Sequence, residues 1–431
     1  MSTAEERYAR AADGTYIAYQ VVGDGPIDIA WAPDLWSVDA LWQVPKYAAW
    51  FRALGSFSRL ILHDRRATGG SSRNVDVPNI ETRMSDLRTV LDEVGAELPV
   101  LGGQLEGGAV NVLFAATMPQ RVRSLFWWYP APRSIEAPDY PWGGSQGELE
   151  RWLQDIIEAW GTRTYNDPSE PTIDWGVLSR QSATPDVAVQ HELVWRQTDV
   201  RATLPSVQAS TLLLARENDR EALEYLVAMM PRATMRLFPN SGDSIPAIHE
   251  QAEVLRAIRG FIGVQAPAPE LDTVLATVLF TDIVNSTERQ SSLGDTGWKE
   301  LVGHHHVIVR DALVRWRGVE NDTAGDGFFA TFDGPARAIR CAQEVVQRVQ
   351  DLGIEVRAGV HTGECTVIDG KVGGLGVVIG SRIADTAGPS EILVSQTVKD
   401  LTAGSGLTFE EIGACELKGI PERWHLHRVA A

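Results

Sequence analysis

Val278-Leu279-Phe280-Thr281-Asp282-Ile283-Val284-Asn285-Ser286-Thr287 decides the fold of the second half of this chain. It reads as an apolar strand that ends in a carboxylate and runs at once into small and hydroxyl-bearing residues. Further on, Thr323-Ala324-Gly325-Asp326-Gly327 lies between Gly318-Val319-Glu320 and Phe328-Phe329-Ala330-Thr331-Phe332. A Gly-Asp-Gly turn between two β-prone runs predicts a hairpin with the acid at its tip. Two carboxylates on adjacent strand ends can hold a pair of hard cations, and the small residues after the first leave backbone N–H groups free for phosphate oxygens. Such equipment suits phosphoryl chemistry on a nucleoside triphosphate. Either acid alone is ordinary punctuation; the pair points to chemistry.

Working outward, 431 residues exceed one typical core, so two domains are expected. Hydrophobic content of 44% with 22% charged residues describes a soluble globular protein. A formal charge of −18 argues against nucleic acid or an anionic membrane as partner, since both would repel it. The start, Met1-Ser2-Thr3-Ala4-Glu5-Glu6-Arg7, is acidic and polar, unlike a signal peptide, and no apolar run approaches the roughly eighteen residues of a membrane helix. Cys341, Cys365 and Cys415 lack metal spacing, which fits a reduced cytoplasm without disulfides.

Residues 1–264 alternate short apolar runs with helical patterns. Ile27–Trp31, Ser58–Asp64, Pro99–Gly103, Arg123–Trp128 and Thr211–Ala215 read as buried strands, and Met84, Leu87, Leu91 and Val94 share one helix face. Continuous apolar strands separated by helices mean a parallel sheet covered on both faces. An insert from about Arg133 to Pro205 breaks the rhythm and carries Trp142, Trp152, Trp160, Trp175 and Trp195. It predicts a helical lid, whose tryptophans either line a pocket for a small apolar ligand or fasten the lid to the core. This half resembles the α/β-hydrolase fold through Asp64–Ser71, the elbow Gly103-Gln104-Leu105-Glu106-Gly107-Gly108 and the strand before Asp219. The family's elbow is G-x-S-x-G, with a serine nucleophile on a strained turn. Here Leu105 holds that position and Ser244 the position of the base; only Asp219 matches the family's acid. His249, five residues beyond Ser244, is no use as a base without a nucleophile. The expectation is a hydrolase fold without hydrolase chemistry.

Gln265-Ala266-Pro267-Ala268-Pro269-Glu270 opens a semi-rigid linker, placed at 265–272. Beyond it, residues 273–431 run strand (Ala276–Phe280), helix (about Asp295–Arg317), hairpin, and a helix opening Asp333-Gly334-Pro335. A strand Ile354–Val360, a helix near Gly380–Thr386 and further strands follow, an α+β, ferredoxin-like plan. The row His304-His305-His306 at about the start of that first helix cannot converge on one ion, because consecutive helical residues point around the axis; a solvated or dimer-facing surface is expected.

The region resembles the class III nucleotidyl cyclase catalytic domain. The resemblance rests on Leu279–Ile283, Thr323–Gly327, Arg357-Ala358-Gly359-Val360-His361-Thr362-Gly363-Glu364, Gly380-Ser381-Arg382-Ile383-Ala384 and Leu417-Lys418-Gly419, in family order. It implies a homodimer in which Asp282 and Asp326, with the Ile283 carbonyl, bind two Mg²⁺ or Mn²⁺ ions, and the second copy supplies Arg382. It implies phosphate contacts from the backbone of Val284, Asn285, Ser286 and Thr287, and from Lys418. The implied reaction is conversion of a nucleoside triphosphate to its 3′,5′-cyclic monophosphate and pyrophosphate. Three positions depart from the adenylyl pattern: Val378 replaces the asparagine that orients the ribose, Asp322 a lysine and Lys371 an aspartate of the base site. Asp322 as acceptor and Lys371 as donor have the polarity guanine wants, if they do not simply pair with each other. Three readings follow: a slow cyclase with a regulatory or ligand-sensing pseudo-hydrolase half, a signalling pseudoenzyme that binds nucleotide, metal or an apolar ligand without turnover, or a hydrolase of unusual chemistry in the first half, which the missing nucleophile disfavours.

Overall fold

The computed structural model describes residues 4–32, 34–162, 173–239, 245–263, 273–368 and 371–430. The chain divides into two compact units, Met1–Glu270 and Leu271–Ala431. The expected linker, 265–272, lies outside the described residues, as does Ser244.

The first unit is built on an eight-stranded sheet of order β1-β2-β4-β3-β5-β6-β7-β8. Its strands are β1 (Glu6–Arg10), β2 (Tyr16–Val22), β3 (Asp28–Ala32), β4 (Arg59–His63), β5 (Val100–Gln104), β6 (Ser124–Pro130), β7 (Ser210–Arg216) and β8 (Ala233–Phe238). From β4 to β8 neighbours are parallel, while β1 and β2 join as an antiparallel edge. The five anticipated strands are present. The edge hairpin and β8 were not anticipated; β1 and β8 mix polar and apolar side chains and are half-exposed. Helices α1 (Val38–Trp42) and α2 (Pro45–Gly55) follow β3, α3 (Ile80–Val94) follows β4, and α4 (Leu105–Thr117) follows β5. The lid holds α5 (Gln146–Ala159), α6 (Trp175–Ser182) and α7 (Pro185–Gln197); α8 (Arg220–Met229) and α9 (Ile248–Gly263) complete the unit. Ser145 and Glu148 close a reciprocal capping box that starts α5.

The second unit has strand order β10-β11-β9-β12-β14-β16-β15. Its strands are β9 (Thr273–Ile283), β10 (Val319–Ala324), β11 (Gly327–Phe332), β12 (Val356–Ile368), β13 (Lys371–Gly373, paired with β12), β14 (Ile392–Ser395), β15 (Phe409–Glu416) and β16 (Arg423–Val429). Its helices are α10 (Ser286–Trp316), α11 (Pro335–Arg348), α12 (Leu375–Thr386) and α13 (Gln396–Leu401). Pro335 starts α11 at the first helical turn, and Ile339, Ala342 and Val345 turn into the core with Val309 and Leu313 of α10. Helix α10 begins earlier than its periodicity suggests, since Gly294 at φ +69° breaks it into two segments with different faces. Helix α12 lies flat on β12 because Gly359 has no side chain; a Cβ there would stand 2.2 Å from the backbone of Ala384.

Candidate active site

Strand β9 carries Asp282 at its C-terminal end, and the two-residue turn Gly325–Asp326 joins β10 to β11 with Gly325 at φ +65°. Antiparallel pairing of β11 with β9, Phe328 opposite Thr281, brings the hairpin tip to the end of β9. The two aspartates therefore converge as the spacing suggested. Burial and the charge of Asp282 both push the Asp326 carboxyl up, against hydrogen bonds from the Ser286 side chain and the Ile283 backbone. Asp326 Oδ2 is buried and has no partner. Two converging carboxylates, one of them with an orphaned buried oxygen, fit a cation. Among the described residues no group of three or more His, Cys, Asp or Glu converges on one point. Asp282 and Asp326 would thus hold a hard cation that completes its shell with the Ile283 carbonyl, water and substrate oxygens, as Mg²⁺ commonly does.

Two partners of this pair were missed in the sequence. Arg357 stands directly across from Asp282 in the β12–β9 ladder and donates to its Oδ2, at 2.7 Å from Nη2 and 3.3 Å from Nε. It also reaches the Asp385 carbonyl at the end of α12. Opposite charges facing each other on neighbouring strands are a readable signal once the register is known. The second is His306, whose Nε2 lies 2.9 Å from the Gly325 carbonyl and ties α10 to the hairpin turn. The histidine row is thus not simply a solvated or dimer-facing surface: His305 is buried, edge-on to Phe328, and burial pushes its imidazole down to about 4. The three rings do not converge on one point, as the helical geometry required.

The phosphate contacts are partly redistributed. The Val284 amide donates to the Glu355 carbonyl at 2.9 Å and is not free for a phosphate. Asn285 caps α10 in the left-handed region at φ +57°, and the first-turn amides of Ser286 and Thr287 have no intrahelical acceptor. Lys418 is exposed in the turn between β15 and β16, beside Gly419 at φ +82°.

Arg382 and Val378 are one turn apart on α12. Arg382 pairs with its neighbour Asp385 at 2.8 Å and makes no ion pair with either site aspartate. Val378 is 42% exposed and Leu375, on the same face, 62%. Asp322 is exposed on β10, and its carboxylate accepts from the Thr323 amide at 2.9 Å. Its row runs through Phe329 and Phe280 to Gly359. Lys371 opens β13 opposite Ile368, nine residues further along β12, so the sheet register does not set the two side by side. The Lys371 side chain and Asp369 lie outside the described residues.

In the first unit the elbow keeps its backbone. Leu105 occupies φ +42° at the β5–α4 junction, its carbonyl accepts from Trp127 Nε1 at 2.9 Å, and it bridges to Pro130. Gly108 is needed where it is: a Cβ would stand 1.9 Å from the Trp127 ring nitrogen. Leu105 is 41% exposed beside a cavity of about 280 Å³ and offers it no nucleophilic atom. Asp219, at the end of β7, is pushed up by burial and accepts from the Arg216 amide; His249 is exposed on α9. Neither lines the cavity. Trp152, Trp175 and Trp195 do line it, whereas Trp160 stacks on Trp36 at 5.4 Å and Trp142 packs on Tyr140 and Tyr225. Some lid tryptophans thus line the cavity and others pack the lid against its neighbours.

Residues 268–429 match the adenylate and guanylate cyclase catalytic domain family. The receptor-type adenylate cyclase GRESAG 4.3 of Trypanosoma brucei brucei is 23% identical over 215 residues, 38% of this chain and 17% of that protein. The pimeloyl-[acyl-carrier protein] methyl ester esterase of Nitrosomonas europaea is 26% identical over 202 residues, 43% of this chain and 78% of that protein. A bromoperoxidase structure from Bacillus anthracis covers 60% of this chain and 100% of its own, with 20% identity and a TM-score of 0.50. The chain spans only 17% of the trypanosome cyclase, and the same share of an uncharacterized Rhizobium meliloti protein that is 27% identical over 173 residues. No described helix is long and apolar enough to cross a membrane.

Proposed function

We propose that this chain, in which residues 268–429 form an adenylate and guanylate cyclase catalytic domain and the preceding unit an α/β-hydrolase fold, cyclises a purine nucleoside triphosphate to its 3′,5′-cyclic monophosphate and pyrophosphate. The observation that carries this reading is the convergence of Asp282 and Asp326, with the buried Asp326 Oδ2 left unpartnered. Divalent cations bound there, Mg²⁺ or Mn²⁺ and two per site, supply charge neutralisation of the triphosphate and acidification of the ribose 3′-hydroxyl. The protein's part is positional. Arg357 holds the Asp282 carboxylate from the neighbouring strand. The first-turn amides of Ser286 and Thr287 aim at phosphate oxygens, with Lys418 a further cationic contact. Arg382, on a helix face that also exposes Leu375 and Val378, comes from a second copy of the chain and stabilises charge on the phosphate.

We assign the base contacts to Asp322, an acceptor for guanine N1–H and N2–H, and to Lys371, a donor to O6; GTP is then preferred over ATP. The N-terminal unit, with Leu105 at the nucleophile position, acts as a cytoplasmic ligand-sensing pseudo-hydrolase and not as an esterase. The exposed Val378 favours one second reading, a signalling pseudoenzyme that binds nucleotide without turnover.

The test is turnover of ATP, GTP, UTP and CTP by the purified chain with Mn²⁺. Asp282→Ala or Asp326→Ala should remove activity, by more than about 10³-fold given the usual weight of metal-borne charge stabilisation. An inactive mixture of either variant with Arg382→Ala contradicts the shared site, because one hybrid interface keeps a full set. Nucleotide binding with no turnover establishes the pseudoenzyme.

A further inference from the structure

The cavity beside Leu105 lies at the carboxyl ends of β3, β4 and β5, where doubly wound sheets take their ligands. Its upper wall comes from the lid: Trp152 and Ile156 of α5, Trp175 of α6 and Trp195 of α7. Its floor is polar and almost wholly shielded from solvent. Glu106, in the first turn of α4, is gripped by Arg65 and Arg83, the former at 2.8 Å. Asp34 accepts from Gln104 Nε2. Arg65 and Arg83 balance Glu106 and Asp34, and Glu192, which also lines the cavity, is paired with Arg196 at 3.2 Å, so a charged ligand finds no counter-ion to spare.

Two atoms on this floor have no partner, Gln104 Oε1 and His191 Nε2, and both side chains are 3% exposed. Their hydrogen-bonding roles follow from their neighbours. Because Gln104 Nε2 donates to a carboxylate, the amide orientation is set and Oε1 is an unmatched acceptor. Because Arg65 Nη1, which can only donate, lies 3.4 Å from His191 Nδ1, the network assigns the ring proton to Nε2, an unmatched donor. Burial beside Arg65 and Arg83 holds the imidazole well below its ordinary value, so the ring is neutral. A buried acceptor and a buried donor left open in one tryptophan-walled cavity are costly unless a ligand satisfies both.

We propose that this cavity binds an uncharged small molecule with an apolar body and a hydroxyl head, which donates to Gln104 Oε1 and accepts from His191 Nε2. At about 280 Å³ the cavity holds a compact ligand. The inference deepens the sensing role proposed for this unit, and its test reads binding alone, so its failure leaves the cyclase reading standing.

The experiment is isothermal titration calorimetry of the full chain with 4-propylphenol, propylbenzene and 4-propylbenzoate. The phenol should bind at least about tenfold more tightly than the hydrocarbon, since a site built around polar groups rejects the analogue that leaves them unpaired. Gln104→Leu should shrink that gap to within about threefold, because the unmatched acceptor is gone. Ala188→Phe, which fills the cavity from α7, should abolish binding; if that variant misfolds by circular dichroism, Gln104→Leu decides. No heat from the phenol up to its solubility limit overturns the proposal. So does equal binding of phenol and hydrocarbon, tighter binding of the benzoate, or undiminished binding by a folded Ala188→Phe.

Discussion

The two units keep opposite parts of an active site. The first keeps the elbow's backbone, with Leu105 at φ +42° and Gly108 packed under Trp127, while the nucleophile is gone. The second brings together Asp282 and Asp326 and carries Arg382 on α12, the groups proposed for its chemistry, while Val378 stands where the resemblance expects a ribose-orienting amide. The difference shows what holds each feature in place. The elbow is part of the packing of β5, β6 and α4, so it persists without chemistry. A ribose contact touches nothing in the folded chain, so its loss leaves the fold intact.

The largest effect that sharpens this comparison is at Val378. It is 42% exposed, so Val378→Asn buries no new polar group and leaves the fold alone. If the missing amide limits the rate, kcat should rise, by up to about 10²–10³-fold, the usual weight of one aimed donor. The measurement is steady-state GTP and ATP turnover with Mn²⁺. A variant whose kcat is unchanged while KM falls shows that the amide binds ground state and transition state alike.

The fold was readable to the extent that single segments carried their own signal. The five anticipated parallel strands of the first unit are short, mainly apolar runs, and the hairpin tip announces itself by Gly-Asp-Gly. Arg357 was not recognised, because its role depends on which strand pairs with β9; only the register sets it opposite Asp282. The floor of the cavity was hidden for the same reason. Arg65, Arg83, Gln104 and His191 come from four separate segments, and no local spacing links them. Asp322 and Lys371 are linked in sequence only through the resemblance, and the sheet register by itself leaves nine residues of β12 between their rows.

Acid should also separate the units. In the second, burial holds His305 and His361 at about 4, so the folded rings stay neutral while the unfolded chain takes up protons below about 6.5. Their stabilising contribution is complete above that value and is lost as pH falls toward 4, about 2 kcal/mol apiece at pH 5. In the first unit His63, held at about 3, acts in the same sense. There, however, burial raises Asp34 to about 6 and Asp64 to about 7, and these contribute stability at low pH that is lost as pH rises through those values. The opposing signs should leave the first unit nearly flat from pH 7 to 5 while the second weakens. Thermal melting read by peptide-resolved proteolysis follows both units in one sample. Parallel destabilisation of the two contradicts the assignment.

A smaller effect probes the elbow's strain. Leucine in the left-handed region is unfavourable, whereas asparagine visits it readily. Leu105→Asn should therefore stabilise the first unit by about 1 kcal/mol, a net figure after the loss of a partly exposed apolar side chain. Chemical denaturation of the variant against wild type measures it. Destabilisation instead means that the leucine's contacts with the cavity outweigh the backbone term.

The smallest expected effect is none. Leu105→Ser returns a hydroxyl to a backbone that still has the elbow's geometry, so if geometry alone made a hydrolase this variant would be one. A serine hydroxyl at its ordinary pKa is a weak nucleophile and needs an adjacent base. The imidazoles near the elbow do not serve: burial drives His191 far down and Arg65 occupies its Nδ1, while His249 is exposed on α9 and does not line the cavity. Glu106 is tied to Arg65 and Arg83, which hold its carboxyl below the usual range and weaken it as a proton acceptor. Turnover of p-nitrophenyl acetate by Leu105→Ser should match that of wild type. A burst of nitrophenolate followed by steady turnover would mean that a base does reach the elbow, with His191 the first to replace by phenylalanine.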